Sequence, residues 1–224
     1  MTDDGSRPRR ISRRSFGALP LGLAIWASTG GPKALLTLVA DLKLSMPVFM
    51  FLVQHIHPKF TRILSQRLGD VSSVPIVEAE DGAVVLPGRL YLAPGGRHLV
   101  VERVGVVTYR TRLTNDPLRL GVRPSVDTLF ASLAEAFGAR TVGVVLTGMG
   151  RDGLAGARAI KEQGGVVLAE SAETCVIYGM PRALAEAALA DRMVPIGEMA
   201  AAIRQVCLGM ADLSDPALSP RAIR

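Results

Sequence analysis

Three short stretches of this sequence carry the side chains that acyl transfer needs. Ala27-Ser28-Thr29-Gly30-Gly31 offers a small hydroxyl beside a pair of glycines, Gln54-His55-Ile56-His57 offers imidazoles, and Gly150-Arg151-Asp152-Gly153 offers a carboxylate. Cleavage of an acyl bond by serine requires a base for the hydroxyl proton, a group that orients the base, and N–H donors for the tetrahedral oxyanion. The glycines beside Ser28 let the backbone approach a substrate closely and leave amides free to point at an oxyanion. By chemistry alone His55 and His57 are equal candidates for the base, with His57 set back by its place beside Pro58. Each residue also has a purely structural reading. Ser28 fits a tight turn, and His55 and Asp152 both fit helix caps. Asp127 stands at another predicted helix start, where the cap reading is the stronger one. His98, after Pro94-Gly95-Gly96, reads as structural or surface.

Residues this far apart in sequence meet only if the fold delivers them to one edge. The apolar run Leu21 to Trp26 reads as a first strand, and Pro32 to Leu42 has helical apolar spacing with Pro32 suited to the first turn. Pro47 to Val53 is a continuous apolar run, as expected of a strand buried on both faces, and Lys59 to Leu68 is a second amphipathic helix. Strand and helix alternation predicts an α/β fold: a doubly wound, mostly parallel sheet with helices on both faces and right-handed crossovers. Thr141 to Leu146 is a further strand ending at Thr147-Gly148-Met149-Gly150, so Ser28, His55 and Asp152 all emerge from strand ends. Such ends line the ligand crevice of open α/β sheets.

The middle third changes character. Asp81-Gly82, Pro87-Gly88 and Pro94-Gly95-Gly96 punctuate Ala83 to Leu86, Leu90 to Ala93 and Leu99 to Glu102, which predicts a small antiparallel hairpin insertion ending near Val104 to Thr111. Pro124-Ser125-Val126-Asp127 opens a helix to about Phe137, with Ser125 its expected cap. Leu154 to Gln163 is the next helix and Val166 to Ala169 the next strand. A helix at Arg182 to Ala190, a short strand at Met193 to Ile196 and a helix at Glu198 to Leu208 complete the fold. Residues 1–20 read as a basic disordered arm, 21–208 as the functional domain and 209–224 as a tail.

Bulk properties narrow the classes. With 224 residues, 49% of them apolar, the chain supports one sizeable core. Aromatics make up 4%, too few for the stacked platforms that hold single-stranded nucleic acid. The formal charge of +6 owes much to Arg7, Arg9, Arg10, Arg13 and Arg14. Cys175 and Cys207 are too few and too far apart for a disulfide framework or a zinc site, which fits a reducing compartment. Ser12-Arg13-Arg14-Ser15-Phe16 resembles a twin-arginine export signal, yet cleavage near Ala27 would remove or expose Ser28. The apolar run behind it falls well short of the roughly 20 residues of a membrane span. There is no Gly-x-Ser-x-Gly elbow, and the order Ser, His, Asp differs from that of the α/β-hydrolases. Neither a G-x-G-x-x-G fingerprint nor a phosphate-binding Gly-Lys loop is present.

Ala27-Ser28-Thr29-Gly30-Gly31-Pro32, Gln54-His55-Ile56, Ala93-Pro94-Gly95-Gly96-Arg97-His98, Pro124-Ser125-Val126-Asp127, Thr147-Gly148-Met149-Gly150-Arg151-Asp152-Gly153 and Tyr178-Gly179-Met180-Pro181 resemble, in order, the motifs of the catalytic domain of chemotaxis protein-glutamate methylesterases, the CheB family. The resemblance runs from about Leu21 to Leu208. It implies a serine hydrolase that removes methyl from glutamate methyl esters on the cytoplasmic helices of chemoreceptors, releasing methanol, with deamidation of receptor glutamines as a second activity. By motif it assigns Ser28 as nucleophile, His55 as base and Asp152 as the residue orienting His55, with Thr29 and the Met149 backbone N–H at the oxyanion. It implies no cofactor and no metal. The expected partners are methylated receptor helices, with no specific nucleic acid, and the expected place is the cytoplasm, peripheral to the membrane only through receptors.

Two departures stand out. Relatives usually carry glycine before Ala-Ser-Thr-Gly-Gly, whereas this chain has Trp26, a ring that either narrows the substrate groove or repacks the strand. Family members in chemotaxis usually begin with a receiver domain, for which residues 1–20 are too short. If the chain is complete, its activity is constitutive or governed by a separate regulatory protein. Two other functions compete: a related hydrolase acting on a protein that is not a chemoreceptor, and a receptor-binding module without turnover.

Overall fold

Leu21–Ala27 forms β1, which lies at the middle of a seven-stranded sheet with all seven of its residues buried. The computed structural model describes residues 20–212. Alternation along β1 sends Leu21, Leu23, Ile25 and Ala27 to one face and Ala24 and Trp26 to the other. Both faces are covered, which is why the run is apolar without a polar alternate.

The sheet comprises β1, β2 (Val48–Gln54), β3 (Ile76–Glu78), β4 (Leu90–Leu92), β7 (Thr141–Val145), β8 (Val166–Glu170) and β9 (Arg192–Val194), in the spatial order β3-β4-β2-β1-β7-β8-β9. Every pairing within it is parallel. Helices α1 (Gly31–Asp41), α2 (Pro58–Gly69) and α6 (Ile196–Asp212) bury their apolar sides on the Leu23 face. On the Trp26 face lie α3 (Val126–Phe137), α4 (Leu154–Glu162) and α5 (Met180–Glu186), with the hairpin β5 (His98–Arg103) and β6 (Tyr109–Thr114). Phe49, Tyr109 and Phe137 close that core, the last two rings stacked at 4.3 Å.

Register explains how distant residues meet. Ala27 pairs with Gln54, and Trp26 pairs with both Val53 and Val145, so β1, β2 and β7 end at one level. The chain runs outward from β1 to β2 and beyond, then returns to β7 on the other flank of β1. That reversal is a topological switch point, the place where open α/β sheets bind their ligands at the carboxyl ends of the strands.

The middle third corrects the sequence reading. Leu90 to Ala93 was expected in the antiparallel insertion, but Leu90–Leu92 is a parallel strand of the main sheet, between β2 and β3. Ala83 to Leu86 yields only an isolated bridge from Val84 to Arg110, and Val104 falls in the turn before β6. Among the described residues the antiparallel pairing is the β5–β6 hairpin, with single antiparallel bridges at Val84–Arg110 and Arg119–Val122. The helix expected from Glu198 to Leu208 runs on to Asp212, into the segment read as tail. The basic arm, the twin-arginine stretch and the rest of the tail lie outside the described residues. Among the described residues, no helix is long and apolar enough to cross a membrane.

Candidate active site

Three strand ends converge. Ser28 follows β1, His55 follows β2, and Asp152 lies in the loop after β7. His55 Nδ1 lies 3.2 Å from Ser28 Oγ, and His55 Nε2 lies 2.9 Å from Asp152 Oδ2. An imidazole that donates from Nε2 to a carboxylate presents a lone pair at Nδ1, so the Ser28 hydroxyl has an acceptor for its proton. His57, the rival base, is exposed and caps α2 by accepting the Lys59 N–H, with its ring against Phe60.

Asp152 is buried and saturated with donors. Oδ1 accepts from the Ser125 hydroxyl at 2.6 Å and the Asp127 N–H at 3.3 Å, and Oδ2 accepts from the Val126 N–H at 2.9 Å as well as from His55. Burial opposes its ionisation, but hydrogen bonds from His55, Ser125 and Val126 outweigh that and hold the carboxyl below the usual range. Ser125 does not cap α3 through its own side chain; Asp152 covers the open N–H groups of that helix instead. Asp127 returns the exchange, accepting the Gly156 N–H at 2.7 Å in the first turn of α4. Burial pushes the Asp127 carboxyl up, and the Asp152 charge adds to this against the pull of the Gly156 N–H. Its cap reading holds, though on a helix other than its own.

Behind Asp152 stands His98, which is fully buried. Its Nδ1 accepts the Ser125 N–H at 3.1 Å, and its Nε2 donates to the Pro117 carbonyl at 3.3 Å. Burial lowers its pKa, so the folded chain takes up the His98 proton less readily than the unfolded chain does. The stability this contributes is complete above the ordinary histidine value of about 6.5 and is lost as pH falls through the folded value. Melting temperature is therefore expected to fall more between pH 7.5 and pH 5 in the wild type than in His98→Asn. Thermal scans across that range check this, and equal slopes would contradict it.

The other flank is pinned by backbone contacts. The Gln54 amide, itself buried, donates to the carbonyls of both Ser28 and His55, tying the turns after β1 and β2 together. Thr147 bonds the Thr29 carbonyl and the Ile177 N–H through its hydroxyl, and its carbonyl accepts the Ser28 N–H. Glu170, fully buried, holds the Thr147 N–H at 2.8 Å and the Thr174 hydroxyl at 2.9 Å. Gly148 sits so close to Ser28 that an added Cβ would lie 2.7 Å from the Ser28 Cβ. The next residue, Met149, is exposed beside the serine. Among the described residues, neither the Met149 nor the Thr29 N–H makes an intramolecular hydrogen bond. Near the site Met149, Val176 and Ile177 expose apolar side chains beside the exposed Arg151, and Val176 packs against Gly30.

Trp26 does not narrow the groove. It is fully buried on the α3 side of the sheet, under His55, with ring centroids 5.6 Å apart at 61°. Ser125, Gln54, Thr147 and Glu170 carry supporting roles that sequence patterning did not assign, and His98, expected to be structural or surface, takes a structural one. A cap expected at Ser125 was the one signal pointing toward that group.

The CheB methylesterase family model matches residues 23–203. The chain is 47% identical over 183 residues to protein-glutamate methylesterase/protein-glutamine glutaminase 5 of Myxococcus xanthus, covering 82% of this chain and 52% of that protein. A protein-glutamate methylesterase/protein-glutamine glutaminase of Clostridium acetobutylicum is 43% identical over 201 residues, which is 90% of this chain and 56% of that one. The chain thus spans about half the length of these relatives. The crystal structure of the Thermotoga maritima CheB methylesterase catalytic domain superposes with a TM-score of 0.80 at 37% identity, covering 83% of this chain and 98% of that domain.

Proposed function

The chain belongs to the CheB methylesterase family, and on that footing we propose that it hydrolyses glutamate methyl esters on chemoreceptors through a Ser28 nucleophile. One observation carries the reading: the continuous hydrogen-bond series from Ser28 Oγ through His55 to the buried Asp152 carboxylate. In the acylation step Ser28 Oγ attacks the ester carbonyl carbon while His55 Nδ1 takes its proton. The tetrahedral oxyanion is held by N–H groups at Thr29 and Met149. Collapse expels the methoxy group, which receives the proton from His55 and leaves as methanol. Water then attacks the acyl-Ser28 ester with His55 again as base, releasing the glutamate carboxylate and restoring Ser28. A glutamine side chain enters the same sequence and loses ammonia. Asp152 keeps Nε2 protonated and stabilises the imidazolium formed in each step. The general base contributes a rate factor of about 100 to 10,000, and each oxyanion donor about 3 kcal/mol.

The substrate class follows from the family and is supported by the surface. The exposed apolar side chains of Met149, Val176 and Ile177 suit the side of a helix, and the net charge of +6 favours acidic flanking sequence. We place this work at the cytoplasmic helices of receptors. The test compares a methylated receptor fragment with an unrelated methyl-esterified protein. The expected result is a kcat/KM for the receptor at least about 100-fold higher, worth about 2.7 kcal/mol of transition-state discrimination. Equal turnover of the two would transfer the activity to another protein ester, and receptor binding without turnover would make the chain a docking module.

A further inference from the structure

Trp26 occupies an unusual seat. It is the largest fully buried side chain of the molecule's described core, and it lies one residue before the nucleophile turn. Its ring meets His55 edge-on. Its six-membered ring also presses on Gly153, where an added Cβ would lie 2.7 Å from Cζ3 and 2.9 Å from Cε3. Val126 Cγ1 borders the same spot at 3.0 Å. Gly153 directly follows Asp152, and the Val126 N–H is one of the donors on the Asp152 carboxylate. One rigid ring therefore touches the imidazole and closes on the Gly153 backbone that follows its carboxylate partner, with the Val126 side chain at the same spot.

The indole N–H sharpens the point. Among the described residues it is buried with no hydrogen-bond partner, so packing seats this ring. Trp26 meets His55 from the core side, while the ring's two nitrogens engage Ser28 and Asp152. A flat aromatic wall restricts an imidazole to fewer orientations than a flexible aliphatic chain does, and small displacements of a catalytic group are heavily penalised in rate.

We propose that Trp26 is a positioning residue that locks the His55 ring between Ser28 and Asp152 by packing against its core-side edge. This inference rests on the reading of His55 as the base for Ser28. Replacement by glycine opens a ring-sized void, so Trp26→Leu, which retains apolar bulk without a plane, serves as the second variant. Trp26→Phe retains an aromatic plane next to His55 without the indole N–H, which has no partner among the described residues.

The experiment measures the second-order rate of Ser28 phosphonylation by a fluorophosphonate, which needs no receptor, and then kcat and KM for methylated receptor. Circular dichroism first establishes that each variant is folded at the assay temperature. Trp26→Leu and Trp26→Gly are expected to react about 10- to 100-fold more slowly, with kcat reduced in proportion and KM within about 2-fold of wild type. Trp26→Phe is expected to stay within about 3-fold on both measures. Folded Trp26→Leu that matches wild type in both rates would overturn the positioning role. So would a loss in Trp26→Phe equal to that in Trp26→Gly. If wild type itself is not phosphonylated at Ser28, the serine-nucleophile reading fails and takes this inference with it. If wild type labels and the leucine variant labels equally fast, only this inference falls.

Discussion

Ser28→Ala is expected to lose essentially all ester hydrolysis, about a 10⁶-fold drop in kcat, while remaining folded. Among the described residues the hydroxyl makes one hydrogen bond, to His55. The architectural contacts of this residue run through its backbone, where Ser28 N–H bonds the Thr147 carbonyl and its own carbonyl accepts from Gly31 and Gln54. Alanine keeps all of these, so stability should change by less than about 0.5 kcal/mol. Loss of turnover with an unchanged melting temperature then reports chemistry rather than folding. Residual hydrolysis above the uncatalysed rate is expected from the oxyanion donors and substrate binding alone. Intact-mass spectrometry after fluorophosphonate treatment should show one adduct in wild type and none in the variant. An adduct that persists in Ser28→Ala would place the nucleophile elsewhere.

Asp152→Asn is the second large effect, and here the chemistry and the fold are entangled. The two carboxylate oxygens receive donors from His55, Ser125, Val126 and Asp127. An amide turns one of these acceptors into a donor. The least costly arrangement keeps the amide oxygen toward Val126 and His55 and turns the NH₂ toward Ser125, whose hydroxyl rotates to accept. The Asp127 N–H then loses its partner. That arrangement preserves the His55 tautomer but removes the negative charge that stabilises the imidazolium. The expected loss in kcat is about 10³- to 10⁴-fold with little change in KM, together with about 1–3 kcal/mol of destabilisation from the displaced donor. Steady-state kinetics and thermal melts on the same preparation check both. The pH dependence has a definite sign. Because Asp152 is held below the ordinary carboxylate value of about 3.9, it contributes stability above that value, lost as pH falls through the folded value. The stability gap between wild type and Asp152→Asn should therefore narrow in acid.

The parts of the fold that were legible in the sequence are those whose burial is local. β1 and β2 are continuous apolar runs because helices cover both faces, and their ends locate Ser28 and His55 without any knowledge of partners. β3 and β4 were not legible as main-sheet strands. Each has three residues, too short for periodicity to declare itself, and the glycine and proline turns around Leu90–Leu92 mimic a hairpin. Only the pairing of Leu90–Leu92 with both β2 and β3 makes it a parallel strand. The candidate triad was legible by residue type and strand position, but its support was not. Asp152 and Asp127 cap each other's neighbouring helices across about 25 residues of sequence, and cap patterns are read within a few residues. His98 reads as structural or surface because it follows a turn, and the structural reading holds, since β5 carries it under Ser125. Trp26 could not be placed from sequence because strand alternation alone does not tell which face the crevice overlooks.

The central claim is that Ser28 breaks the methyl ester of a receptor glutamate, and volatile methanol is its most direct readout. Receptor membranes carrying isotope-labelled methyl groups are incubated with the purified protein, and released methanol is counted over time. Wild type should release it at a rate that saturates with receptor, and Ser28→Ala should release it about 10⁶-fold more slowly, leaving only the residual rate of the oxyanion donors. Equal release by the two proteins would contradict the account, as would intact methyl esters in the presence of wild type that a fluorophosphonate labels at Ser28.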